Sequence, residues 1–214
     1  GESALCLAGG VALNSVANGR IVREGTFDEV FVQPAAGDAG GAVGAALHAS
    51  HALYGEPRVL GRVFSPFLGQ GHTKDEVAAF VVTTGLVHQR IADPGALDDA
   101  IVDRLARGEV GGFFRGRFEW GPRALGARSI IADPRGQGVR DRVNAKVKFR
   151  EPFRPFAPVV LASEADRYFE MPASADHLSR YMLTVVPVRA EAKGLLPAFT
   201  HVYGTARVQT IEDA

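Results

Sequence analysis

Twice near its start, the chain runs a short apolar stretch into a glycine turn and then into a helical pattern, and this grammar admits few folds. ALCLAGG (Ala4–Gly10) has the length and composition of a buried strand. VALNSVANGRIVREG follows with apolar residues at helical intervals and Gly25 near its end. EVFVQP (Glu29–Pro34) is a second strand, and a glycine-rich turn around Asp38 leads into the small-residue helix of AAGDAGGAVGAALHASHALYG. A helix so rich in Ala and Gly is expected to press its backbone closely against a neighbour. Glycine ahead of a helix also lets backbone N–H groups approach phosphate oxygens at the helix N-terminus, so the pattern suits a phosphate or nucleotide site. Neither G-x-G-x-x-G nor G-x-x-x-x-G-K-[ST] occurs, which argues against a Rossmann dinucleotide site and a P-loop.

YGEPRVLGRVFSPFLGQG (Tyr54–Gly71) has no sustained period and is broken by Gly and Pro, which places a domain boundary near Tyr54–Val63. Beyond it, Thr73 and Glu76 have capping-box spacing and open a helix to about Thr84. LVHQRI is expected as a strand. Asp93 and Pro94 fit the cap and first turn of a helix whose apolar face is Leu97, Ala100, Ile101 and Leu105, closed by Gly108. VGGFFRG and RSIIADP are expected strands, GVRDRVNAKV a helix, and PFAPVVL a strand. Ser163 with Asp166 starts a short helix, and YMLTVVPV and GTARVQTI complete the strands. Helices and strands alternate throughout, so the class is mixed α/β, with no internal repeat.

Composition excludes some classes. The 214 residues are 46% hydrophobic and 22% charged, as in globular proteins that bury a core. No run of about 18 apolar residues predicts a membrane span, and no secretory pattern opens the chain. The lone Cys6 excludes an internal disulfide framework and fits a reducing, cytoplasmic setting; in its apolar run it reads as a small core residue. The chain enters a strand pattern at once without an initiating Met, which predicts a piece of a longer polypeptide.

The formal net charge is zero but unevenly spread. Arg115 to Arg154 holds eleven Lys or Arg against four Asp or Glu, a net of +7, which leaves the remainder at −7. At its centre, FRGRFEWGPRALGARSI (Phe114–Ile130) has four arginines, one glutamate and the only tryptophan. Arginine is permanently charged and offers a planar fork of donors matched to phosphate and carboxylate oxygens. Forks that converge need small neighbours, and Gly121, Gly126 and Ala127 supply the room. The stretch therefore reads as an anion site, with Glu119 placed to orient an arginine and with Phe118 and Trp120 either in the core or walling a pocket. Nucleic acid is disfavoured as a partner: the charge does not repeat along one helix face, and no nucleic-acid-binding motif is present.

Other chemistry-bearing residues keep two readings. His48 and His51 have the spacing of half a metal site but no third ligand nearby. Asp38 is either a helix cap or a ligand for Mg²⁺ or a nucleotide sugar. His201 is either an acid–base group or a turn residue. No nucleophile elbow and no C-x-x-C are present.

CLAGGVALNSVANGRI, QPAAGDAGGAVGAAL, GRFEWGPRALGARSIIADPR, NAKVKFREPFRPFAP and GTARVQT together resemble the O-carbamoyltransferases of antibiotic biosynthesis and nodulation-factor modification, over essentially the whole chain. The resemblance implies two units: residues 1–58 as the end of an ASKHA domain (the superfamily of sugar kinases, heat-shock ATPases and actin), and 59–214 as most of a YrdC-like α/β domain. It implies an enzyme that forms carbamoyl-adenylate from carbamoyl phosphate and ATP, then transfers the carbamoyl group to a hydroxyl of a natural-product or sugar acceptor. Arg123, Lys148 and Arg154 are the implied catalytic residues. With Arg207 they are implied to bind carbamoyl phosphate or the adenylate, and Arg115, Arg128 and Arg150 are implied neighbours. Gly9, Gly10, Asn14 and Asp38 match the nucleotide turns of the kinase-like unit. The implied cofactors are ATP with Mg²⁺, and an iron-type metal for which Asp38 is one ligand. The family's histidine pair for that metal would lie upstream of residue 1, and an NTSFN-like segment beyond Ala214, so the remainder of the same enzyme is an implied partner. The family usually has Asp where this chain has Tyr203. The alternative is a nucleotide-binding relative acting in tRNA threonylcarbamoyl transfer.

Overall fold

The structure, a computed structural model, describes residues 1–59, 65–136 and 138–212. The strands β1 (Ala4–Leu7) and β2 (Glu29–Val32) lie parallel, with Leu5 opposite Val30 and Leu7 opposite Val32. Parallel neighbours need a crossover, which α1 (Ser15–Glu24) supplies. Its start is fixed by Asn14, whose carboxamide oxygen accepts from Val16 N (3.2 Å) and Ala17 N (3.1 Å). Such a cap is worth about 1 kcal/mol. Asn18, Gly19 and Val22 form the buried face, while Arg20 and Glu24 pair in solvent. At Gly19 a Cβ would meet the Val185 carbonyl oxygen at 2.5 Å, so α1 makes the close backbone approach expected of the next helix. That helix, α2 (Asp38–His48), buries no residue; a Cβ on Gly40 would collide with the Ala35 carbonyl oxygen, whereas Gly41 and Gly44 meet open space.

Part of the expected domain boundary, residues 60–63, lies outside the described residues. Beyond it α3 (Lys74–Thr84) opens on a full capping box, with Thr73 Oγ1 accepting from Glu76 N and Glu76 Oε2 accepting from Thr73 N. The stretch expected as a strand, LVHQRI, is not one: residues 86–91 join no ladder among the described residues, and Val87 is fully exposed. Its β-rich composition is overridden because no neighbouring strand offers partners for its backbone groups. Asp93 caps α4 (Pro94–Ala106), accepting from Ala96 N at 2.7 Å. Ala100, Ile101 and Leu105 of the expected apolar face are half-buried, but Leu97 is exposed. β3 (Val110–Phe114) and β4 (Arg128–Ala132) pair antiparallel across the intervening arginine-rich loop. Next, α5 (Val139–Val143) widens into a π-helical turn at Asn144–Lys148 and stops at Phe149, held at φ 48.

The remaining elements are β5 (Val159–Leu161), α6 (Ala165–Tyr168), α7 (Asp176–Arg180), β6 (Val186–Pro187), α8 (Ala190–Lys193), β7 (Thr205–Ala206) and β8 (Gln209–Ile211). β5 pairs parallel with β8, and β6 pairs antiparallel with β7. Two expected strands are shorter than their apolar runs. In YMLTVVPV only β6 is extended in a ladder; Met182 sits at φ 55 and Leu183 N returns to the Leu178 carbonyl at 2.8 Å, so the run closes α7 as a buried loop. GTARVQTI divides at Arg207 into β7 and β8. The helical turn preceding α6 begins at Ala162, one residue before Ser163.

One core runs from the first residues to the last. Val22, Val30 and Val32 pack with Phe169, Leu178, Leu183, Val186 and Val208, each worth roughly 1.5–3 kcal/mol of burial. Polar ties follow the same path: the buried Asn18 Nδ2 donates to the carbonyls of Ala12 and Leu183, both at 2.8 Å, and His177 Nε2 lies 2.9 Å from the Val32 carbonyl. The observed class is mixed α/β. Among the described residues no helix is long and apolar enough to cross a membrane.

Candidate functional site

The basic block folds around a cleft of about 1350 Å³. Arg115, at the end of β3, and Arg123, in the loop to β4, stand on one side. Lys148 and Arg150 come from the end of the π-helical turn, and Arg207 from the break between β7 and β8. Four separate elements thus bring five of the seven arginine and lysine candidates to one space. The two acidic residues in the lining are already engaged, Asp133 with Arg135 at 2.6 Å and Glu164 with Arg167 at 3.6 Å. Among the described residues, none of the five cations has a carboxylate within ion-pair distance.

Three of the guanidinium groups are partly or largely buried close to one another. The Nε atoms of Arg123 and Arg207 are buried without a hydrogen-bond partner among the described residues. Burial, with Arg123 and Arg150 nearby, lowers the Arg207 guanidinium to about 10. Burial also lowers Arg123 and Arg150, and in Arg150 the neighbouring Arg154 adds to it. Arg150 is fixed by Asn144, whose Oδ1 accepts from its Nε at 2.8 Å, and its guanidinium lies 4.8 Å over the Phe156 ring. Buried like charges are held together only where the fold forces them or an anion joins them. The planar donor forks of three such guanidinium groups match the acceptor oxygens of a phosphate.

The other two candidates are turned elsewhere. Arg128 donates from Nε to Glu119 Oε2 at 3.1 Å and lies 4.5 Å over the Phe118 ring. Arg154 pairs with Glu151 at 3.0 Å on the surface. Neither lines the cleft, and neither do Phe118 and Trp120. His201 flanks the cluster: its Nδ1 lies 3.2 Å from Thr205 Oγ1, and burial with Arg207 nearby lowers its imidazole.

Sequence reading missed Asn144. Wholly buried, it donates from Nδ2 to the carbonyls of Pro152 (3.1 Å) and Arg154 (2.9 Å) as well as accepting from Arg150. An Asn inside a charged helical stretch carries no local sign of such a role; only the return of the chain at 150–154 creates it.

The glycine turns form a second locus. Gly9 N donates to the Ala36 carbonyl at 2.8 Å, and Gly37 packs against Gly10 and Leu13. Gly9, Gly10 and Asp38 therefore lie together where the parallel pair β1–β2 gives way to its helices, the edge at which α/β folds take ligands. Asn14 Oδ1 is committed to capping α1. Asp38 is exposed and makes no ion pair among the described residues, where no group of three His, Cys, Asp or Glu approaches metal-binding geometry. A lone carboxylate does not make a metal site, and the His51 ring is occupied by the Glu56 carbonyl at 2.8 Å. Arg123 connects the two loci, donating from Nη2 to the Leu13 carbonyl at 2.9 Å.

Known proteins resemble the chain over nearly its whole length. The family model described as Carbamoyltransferase C-terminus matches residues 102–214, and Carbamoyltransferase N-terminus matches residues 1–47. Nodulation protein NolO of Bradyrhizobium diazoefficiens is 46% identical over 99% of this chain and 38% of its own length. Nodulation protein U of Azorhizobium caulinodans is 40% identical over 97% of the chain and 34% of its own length. The 3'-hydroxymethylcephem-O-carbamoyltransferase of Amycolatopsis lactamdurans is 37% identical over 99% of the chain and 37% of its own length. The chain spans little more than a third of the length of these curated relatives. With one family model covering more than half of it and a second covering its opening, the chain belongs to the carbamoyltransferase family.

Proposed function

We propose that the chain is part of an ATP-dependent O-carbamoyltransferase and that its cleft binds carbamoyl phosphate and the carbamoyl-adenylate formed from it. The observation that carries this reading is the convergence of Arg123, Arg150 and Arg207 with no ion-pair partner among the described residues. Carbamoyl phosphate and ATP are both anions whose charge repels attack, and fixed guanidinium forks offset that charge without reorganising during reaction. Arg115 and Lys148 extend the positive wall towards the rim, and Arg154 joins it when its pair with Glu151 opens. The cleft volume of about 1350 Å³ accommodates a nucleotide beside carbamoyl phosphate. Residues 1–58 would close an ASKHA-type unit and 59–214 form most of a YrdC-like one. The Gly9–Gly10 and Asp38 turns would then face nucleotide during transfer to an acceptor hydroxyl. Asp38 would give at most one oxygen to a metal, whose other ligands would come from elsewhere in the polypeptide.

Arg123→Ala in the full-length protein tests the reading. Carbamoyl-phosphate-dependent ATP turnover is expected to fall by about 10²–10³-fold, the usual loss on removing a charge-stabilising donor, with an unaltered circular dichroism spectrum. Unchanged turnover would remove Arg123 from the site. ATP consumption supported by threonine plus bicarbonate, and not by carbamoyl phosphate, would instead favour the threonylcarbamoyl relative.

A further inference from the structure

The Arg123 Nε is buried and faces no acceptor among the described residues, an unfavourable arrangement that a slack loop would relax. Something must hold the loop. We infer that Glu119, which does not line the cleft, is the positioning residue that aims Arg123 into it. The inference rests on the anion-binding role of the cleft and adds to it a residue that acts only through another.

The Glu119 side chain is wholly buried. Its Oε1 accepts from Leu125 N (2.7 Å), Ala127 N (2.8 Å) and Arg128 N (3.3 Å), and its Oε2 from Arg128 Nε (3.1 Å). Its own carbonyl accepts from Arg128 Nη2 at 2.9 Å. One residue therefore ties the two ends of the 119–128 segment together, and Arg123 lies at the apex between them. Outside contacts fix the apex: Gly121, at φ 126, leaves only enough room to pass Pro34 and Ala35, and Arg123 Nη2 reaches the Leu13 carbonyl. Glu119 also keeps Arg128 on the Phe118 face and out of the cleft.

The sign of the effect separates positioning from simple electrostatics. Removing a negative charge near a cationic cleft strengthens anion binding if charge alone matters. If Glu119 holds Arg123 in place, Glu119→Gln weakens it, by roughly tenfold as for other residues that orient a ligand from behind. The test is a calorimetric titration of the full-length protein with inorganic phosphate, comparing wild type, Glu119→Gln, Arg123→Ala and the double variant, with the urea midpoint of each recorded. The expected result is weaker binding in Glu119→Gln and no further loss, within twofold, when it is added to Arg123→Ala. Glu119→Asp, one methylene short, is expected to fall between wild type and Glu119→Gln, and serves the same comparison if the Gln variant does not fold. Tighter or unchanged binding in Glu119→Gln, or losses that multiply in the double variant, overturns the inference while leaving the cleft's anion role intact. Failure of wild type to bind phosphate overturns both.

Discussion

Glu119 keeps its charge where burial alone would neutralise it. Burial opposes ionisation, but the N–H groups of Leu125 and Ala127 and the Arg128 guanidinium outweigh it and hold the carboxyl at about 2. Because the folded value lies below the ordinary 4.5, the stabilisation is fully present above about pH 4.5 and lost as pH falls through about 2. Linkage of that size is on the order of 3 kcal/mol. Urea titrations from about pH 6 to pH 2.5 should show stability falling in acid for wild type and a flatter profile for Glu119→Gln. At this scale the sequence was informative about charge and silent about geometry. That small residues let arginines converge follows from GPRALGAR itself. That Glu119 is consumed by three backbone N–H groups, or that Asn144 fastens Arg150, depends on where the chain returns, which no spacing encodes.

Elements were legible in proportion to how local their signals are. The capping box at Thr73–Glu76 and the Asp93 cap appear where the residues place them, because a cap is decided within four residues. Thr73→Ala is expected to lower stability by about 1 kcal/mol, measured by urea denaturation. Strand length was less legible. YMLTVVPV is apolar enough for a strand, yet most of it is buried as a loop, because burial is what apolar composition reports and ladder pairing is decided elsewhere. The small-residue signal holds in both helices but at single positions: Gly40 of α2 lies against the Ala35 carbonyl of the turn before it, Gly19 of α1 lies against the Val185 carbonyl, and Gly41 and Gly44 face open space. Gly19→Ala should therefore destabilise by more than the helix-propensity gain of about 1 kcal/mol, whereas Gly44→Ala, with open space beyond its Cα, should stabilise slightly. Thermal melts of the two variants should move in opposite directions.

At the scale of the whole molecule, three of the four strand pairs among the described residues join strands at least eighteen residues apart, and β5–β8 joins residues 159–161 to 209–211. Periodicity in one sequence cannot reveal such pairings, which is why the α/β class was readable and the shared core was not. The same core has a consequence for biosynthesis. Val30 and Val32 leave the ribosome long before Phe169, Leu183 and Val208, which cover them. At typical elongation rates that interval is on the order of ten seconds, during which β1, β2 and α1 lack the cover that Phe169, Leu183 and Val208 provide. Stalled nascent chains should remain protease-sensitive at residues 4–36 until residues near 208 have cleared the exit tunnel. In a cell, residues 4–36 would then be open to holding factors for that interval.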